Sequence, residues 1–220
     1  MNGVSFSFAG QTLTALPSGG LWWAAARLLC VSDLHMGKSD RIARRSGALL
    51  PPFETRDTLT RLQSDLESCD PQTVVCLGDS FDDLGAVDAI NANDHDLLMA
   101  LMAGREWVWI EGNHDPGPVG FGGSHRVDLH HDGLWFRHIA QRHGQGEISG
   151  HYHPKIAIMG PARPCFLYDS NRLIMPAYGT YTGGLRCDAD VLVDLMNRDA
   201  FAILAGKTMA RLPAYIRPAS

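Results

Sequence analysis

Several features are missing from this sequence, and each absence removes a class of function. Its longest apolar stretch, Leu21-Trp22-Trp23-Ala24-Ala25-Ala26, stops at Arg27, far short of the ~20 residues a membrane-spanning helix needs. No Lys or Arg precedes that stretch, so it lacks the charged start of a secretory signal. The expectation is a cytoplasmic protein without a membrane partner. No two of the five cysteines (Cys30, Cys69, Cys76, Cys165, Cys187) form a Cys-x-x-Cys pair. An odd, scattered set argues against a disulfide framework or a zinc ribbon and suits a reducing compartment. Positive charge is not in excess either: 19 Lys and Arg stand against 24 Asp and Glu, a net −5. That excludes a wholly basic nucleic-acid coat, though not a local basic patch. Repeats, low-complexity tracts and linkers are absent, so residues 1–220 are expected to form one domain. A chain of this length, 45% hydrophobic, buries roughly 70–75% of its unfolded surface and needs no metal just to fold.

The apolar pattern then predicts the architecture. Val4 to Phe8 alternates apolar and polar, turns at Ala9-Gly10-Gln11, and alternates again to Leu16, which predicts a hairpin over about 4–16 ahead of a core over about 27–205. Arg27 to Val31, Thr73 to Leu77 and Trp107 to Ile110 are continuous apolar runs of strand length, as expected for strands buried on both faces. Between them Leu59, Leu62 and Leu66 recur at helical spacing within Glu54 to Cys69, and a second helix is predicted from Val87 to Met102, closed by Gly104. Strand, helix, strand, helix, strand is an α/β pattern with crossover connections. After Asp115 come short runs (Val127 to Leu129, Leu134 to His138, Ile156 to Met159, Cys165 to Tyr168, Arg172 to Met175) broken by Gly, Pro and Asp-Gly. These predict a largely antiparallel sheet that completes a two-sheet sandwich. The five tryptophans lie in or beside apolar runs and are expected in the core.

Each of the three buried strands ends in a polar cluster: Asp33-Leu34-His35, Gly78-Asp79-Ser80-Phe81-Asp82-Asp83 and Gly112-Asn113-His114-Asp115. Residues at i and i+2 of an extended segment point the same way, so Asp33 and His35 can share a metal. The carboxyl ends of strands are also where open α/β sheets bind ligands. The second half adds His138 and the pair His151 and His153. Together these supply seven oxygen or imidazole donors, which suit two adjacent Mn, Fe or Zn ions better than a structural zinc. Gly-Asn-His-Asp alone would arise by chance about once in a thousand chains of this length.

Asp33-x-His35, Gly78-Asp79-x-x-Asp82, Gly112-Asn113-His114-Asp115, His138 and Gly150-His151-x-His153 resemble the signature blocks of the calcineurin-like metallophosphoesterases. That resemblance implies a two-sheet β-sandwich flanked by helices, with a dinuclear metal site at the strand ends. One ion would be held by Asp33, His35, Asp79 and His153, the other by Asp79, Asn113, His138 and His151. His114 would protonate the leaving group, with Asp115 orienting its imidazole. The wider set Asp33-Leu34-His35-Met36-Gly37-Lys38, Arg44-Arg45-Ser46-Gly47, Gly150-His151-Tyr152-His153-Pro154 and Tyr178-Gly179-Thr180-Tyr181-Thr182-Gly183-Gly184-Leu185 resembles the bacterial PdeM-type phosphoesterases, described as ligase-associated DNA damage response endonucleases. Asp82 departs from that group, which often has His there, and is expected beside the ligands and not among them. His138 also lacks the usual Gly before it.

The resemblance implies a metal-dependent phosphodiesterase cutting DNA in repair, with a DNA ligase and a helicase as implied partners and two divalent ions, Mn2+ first and Fe, Zn or Ni as alternatives. A small phosphoester (a cyclic nucleotide or a nucleotide-sugar lipid) or a phosphoprotein is the alternative substrate, and a non-catalytic scaffold a third reading. Lys38, Arg41, Arg44 and Arg45 crowd into eight positions after the first cluster; they suit a phosphate track and equally a solvated helix face. Tyr178 and Tyr181 could form a wall for base stacking, or a turn packed on the core.

Overall fold

The structure is a computed structural model that describes residues 3–117 and 120–214; the expected domain limits, residues 1 and 220, lie outside the described residues. The first sheet comprises β1 (Val4–Phe8), β2 (Gln11–Ala15), β3 (Leu21–Trp23), β4 (Leu28–Val31), β5 (Thr73–Leu77), β6 (Glu106–Ile110) and β7 (Ser124–Arg126), paired in that order. Pairing is antiparallel from β1 to β4 and parallel from β4 to β7. The change follows from the connections: tight turns reverse the chain early, whereas parallel neighbours need crossovers. Helices α1 (Lys38–Ser46) and α2 (Glu54–Cys69) lie between β4 and β5, and α3 (Leu84–Ala89) and α4 (Ala92–Met102) between β5 and β6.

The second sheet holds β8 (Asp128–His131), β9 (Leu134–Arg137), β10 (Glu147–Ser149), β11 (Lys155–Ile156), β12 (Arg163–Tyr168), β13 (Arg172–Ile174), β14 (Phe201–Leu204) and β15 (Arg211–Pro213). Its order is β15-β14-β12-β13-β10-β9-β8, with β11 on β12. It is largely antiparallel, as expected, but β10 pairs parallel with both β9 and β13.

Period-two alternation explains the continuous apolar runs. In β4, Leu28 and Cys30 face the second sheet while Leu29 and Val31 face the helices, and β5 and β6 divide in the same way. Phe136, Ile148, Phe166, Leu173 and Ile203 meet the first sheet across the sandwich. Leu59, Leu62 and Leu66 of α2 with Leu98 and Leu101 of α4 cover its outer face. Helix α5 (Asp190–Leu195) covers the outer face of the second sheet with Leu192. The protein is therefore a two-sheet sandwich with helices on both flanks.

Two expectations are corrected. The helix predicted from Val87 to Met102 is two helices, because Asp83 caps α3 by accepting from the Ala86 N–H at 2.8 Å and Asn91 caps α4 by accepting from the Asp94 N–H at 3.0 Å. Leu21 to Trp23, read only as an apolar stretch, is a strand between β2 and β4. Among the described residues no helix is long and apolar enough to cross a membrane.

Candidate metal centre

Strands β4, β5 and β6 end at Val31, Leu77 and Ile110, and β9 and β10 end at Arg137 and Ser149. The loops that follow carry all the predicted ligands. Their backbone is unusual: Asp33 (φ 52), His35 (φ 45), Asp79 (φ 46), His151 (φ 69) and His153 (φ 47) are all left-handed, a conformation residues with a Cβ seldom adopt and one that clusters at functional sites. Hydrogen bonds between loops hold it, including His35 N–H to the Asp79 carbonyl at 2.9 Å and Gly150 N–H to the His138 carbonyl at 3.0 Å. Close approach explains two glycines in the motifs. A Cβ on Gly78 would lie 2.6 Å from His138 Nδ1, and one on Gly112 would collide with the Asp79 backbone nitrogen.

The side chains form two adjoining clusters, and a third, overlapping group joins Asp82 and His114 to His35. In the first, donor atoms of Asp33, His35 and His153 lie within 4.8 Å of one another. His153 Nε2 is 3.0 Å from Asp33 Oδ1, and apart from that approach both atoms, and His35 Nε2, are buried without a hydrogen bond. Buried polar atoms are rarely left so, and three converging donors of this kind fit a cation. His35 Nδ1 lies 2.8 Å from Asp82 Oδ1, the carboxylate–imidazole arrangement that turns the other ring nitrogen toward a metal.

The second cluster joins Asp79, His138 and His151. His138 Nδ1 is 2.8 Å from the Leu77 carbonyl, which can only accept, so Nδ1 carries the proton and Nε2 the lone pair. That Nε2 is 2.8 Å from Asn113 Oδ1, 3.2 Å from His151 Nδ1 and 3.4 Å from Asp79 Oδ2. Its Nδ1 is also 3.9 Å from Asp33 Oδ1, which links the two clusters.

The charges support ionised carboxylates here. Burial raises the Asp79 pKa, but His138 and the His114 N–H outweigh it and hold the carboxyl at about 2. Asp33 is likewise lowered against its burial by His153 and His138. Burial depresses His138, yet Asp79 and Asp33 outweigh it and raise it above the ordinary imidazole value; His151 is lowered by burial and by the His138 charge.

His114 Nδ1 lies 2.8 Å from the Asp82 backbone carbonyl, so this nitrogen too carries the proton. Its Nε2 stands 4.0 Å from Asp79 Oδ2, with the side chain 29% exposed. Asp115 does not orient that ring, which corrects the expectation. Its carboxylate accepts the backbone N–H groups of Asp79 (2.9 Å), Ser80 (2.8 Å), Phe81 (3.2 Å) and Gly112 (3.2 Å), and so ties the loop after β5 to the loop after β6. Burial, with the Asp79 charge adding to it, pushes its pKa up to about 6.

The basic segment is largely engaged. Lys38 Nζ is 3.7 Å from Asp82 Oδ1 and Arg41 Nε meets Asp82 Oδ2. Arg44 pairs with Asp40 at 2.7 Å and Asp83 at 2.8 Å, whereas Arg45 is exposed at the end of α1. Tyr178 is fully buried and donates to Asp65 Oδ2 at 2.9 Å, so it forms no wall. Tyr181 is exposed, and its ring lies 6.3 Å from the exposed ring of Phe53. Sequence reasoning missed Phe53, and it missed the Leu77 and Asp82 carbonyls that set two imidazole tautomers. No residue-type signal could have found those carbonyls, since every residue carries one.

Asp, His and Asn donors clustered at strand ends, on a two-sheet sandwich flanked by helices, define a metal-dependent hydrolase of phosphoester bonds. Residues 26–176 match the calcineurin-like phosphoesterase model, and the chain belongs to that family. It is similar to a solved structure, the Pseudomonas putida nuclease MPE, at a TM-score of 0.80 and 27% identity over 96% of this chain and 100% of that one. No curated protein matches it by sequence.

Proposed function

We propose that the protein is a metal-dependent phosphodiesterase that cuts nucleic acid, with DNA as the substrate. The observation that carries the metal reading is the convergence of Asp33 Oδ1, His35 Nε2 and His153 Nε2, buried and without a hydrogen bond to any group outside the three, beside a second donor set. Asp33, His35, Asp79 and His153 would hold one divalent ion, and Asp79, Asn113, His138 and His151 the other. Oxygen and imidazole donors without thiolate suit Mn2+, and also Fe or Zn. When bound, such ions lower the pKa of a water and neutralise phosphoryl charge.

The chain's own groups supply the rest. His114 keeps its Nδ1 proton on the Asp82 carbonyl, so a proton for the leaving alkoxide is delivered from Nε2 of the imidazolium, the atom facing Asp79. Asp82 fixes the His35 ring, and Lys38 and Arg41 fix Asp82. They therefore serve the ligands, and phosphate contact falls to the exposed Arg45, with the Tyr181–Phe53 pair as a stacking surface. The nucleic-acid reading is supported by the name of the solved relative, a nuclease. A cytoplasmic role in DNA repair beside a ligase and a helicase rests on the sequence resemblance.

The test uses Mn-loaded protein and the Asp79→Ala variant with end-labelled single-stranded DNA, duplex DNA and an aryl phosphodiester. DNA cleavage that vanishes in the variant along with bound metal is the expected result. Hydrolysis of the aryl ester alone would redirect the search to small phosphoesters, and no hydrolysis by fully loaded protein would favour a scaffold.

A further inference from the structure

Beside the second ligand cluster the surface sinks into a pocket of about 320 Å³ whose wall includes Asn113 and His138. Val127, Ile139, Arg137, Gln141, Asp128 and Glu111 line most of the remainder. Val127 is 72% exposed and Ile139 43% exposed, and neither packs into any of the buried clusters. Two aliphatic side chains are thus kept in water at the rim of a pocket that opens beside the ligands.

The floor excludes a phosphate as the occupant. Arg137 is the one lining cation, and its guanidinium is already held by the fully buried Glu147 at 3.2 Å and by Asp128 at 3.4 Å, and lies over the Trp135 ring at 5.0 Å. Its charge is cancelled and its plane is fixed. What fits is a flat, uncharged group with apolar faces and polar edges. The faces would rest against Val127 and Ile139, and the edge would meet the Gln141 amide, which both donates and accepts. The volume lies at the small end for ligand pockets, enough for one such ring system.

We infer that this pocket receives the nucleobase adjoining the scissile phosphate. The inference rests on the nuclease reading above. A phosphate held at Asn113 and His138 has its nucleoside one sugar away, and the pocket shares that wall. A base can enter only when it is unpaired or swung out of its stack, because a paired base keeps its faces covered. The surface therefore selects strand segments whose bases are free at the cut.

The experiment uses Mn-loaded protein and a single-stranded oligonucleotide series in which one position at a time is abasic. An abasic position next to the cut should lower kcat/KM by ~10-fold, within the range measured for loss of one stacked base, while more distant abasic positions should not. The Val127→Ser/Ile139→Ser double variant should lose a similar factor on the intact strand, and the two losses should not multiply when variant and abasic substrate are combined. Equal rates for intact and abasic strands, or losses that multiply fully, would overturn the inference and leave the nuclease reading standing. Hydrolysis of an aryl phosphodiester with no cleavage of any oligonucleotide would overturn both, and the two failures are thereby told apart.

Discussion

Replacing Asp82 by Asn removes one buried charge and keeps the side chain's shape. The carboxylate is fully buried, with Oδ1 2.8 Å from His35 Nδ1 and 3.7 Å from Lys38 Nζ, and Oδ2 against Arg41. Burial alone would raise its pKa, but His35, Lys38 and Arg41 outweigh burial and hold it at about 2, below the ordinary 3.8. That displacement corresponds to about 2–3 kcal/mol of folding free energy. Because the folded pKa lies below the unfolded one, the contribution is complete above about pH 4 and is lost as pH falls toward 2. The assay is urea denaturation of chelator-treated wild type and Asp82→Asn from pH 7 to pH 2. The variant should be less stable by about 2–3 kcal/mol at pH 7, with the gap closing in acid. On loading, metal affinity should also fall by about 10–100-fold, as when other carboxylates behind histidine ligands are removed. A variant as stable as wild type at pH 7, or a gap that does not narrow in acid, would refute the role assigned to this residue.

His114→Gln should retain its metal, because only its backbone N–H (2.8 Å) bonds Asp79 while its ring nitrogen stands 4.0 Å away. Turnover of substrates with poor leaving groups should fall by about 10²–10⁴, and that of an aryl ester far less. Metal analysis beside both rates checks this, and loss of an ion from the variant would contradict it. Asp115→Ala should strand four backbone N–H groups. At about 1 kcal/mol or more each, this should lower Tm by roughly 8–16 °C for a domain of this size, and a melt unchanged within a few degrees would show that the two loops hold without it.

Much of this was legible in the sequence for a simple reason. Strands β4, β5 and β6 are covered on both faces, so their apolar runs stand out, and the polar residues that follow them lie at one sheet edge by topology. β10 escaped notice because two of its three residues are polar: Glu147 is fully buried, but it accepts from Arg137 and from the Gln141 N–H. Residue type does not disclose a partner. Lys38 and Arg41 looked like a phosphate track because their counter-charge, Asp82, lies some forty positions along the chain. Tyr178 looked like a stacking surface because its hydroxyl partner, Asp65, belongs to α2. Asp115 follows His114 in sequence, yet the loop turns it toward the amides of another strand's end. Pairings of this kind belong to the assembled sandwich and not to any local window.

The left-handed backbone at Asp33, His35, Asp79, His151 and His153 binds the donors to a local cost. Such conformations cost of order 1 kcal/mol or more each, and hydrogen bonds between loops hold them. Glycine at any of the five would relax the backbone at the same stroke as it deleted the donor, so these loops have no cheap route to a calmer backbone that preserves the chemistry.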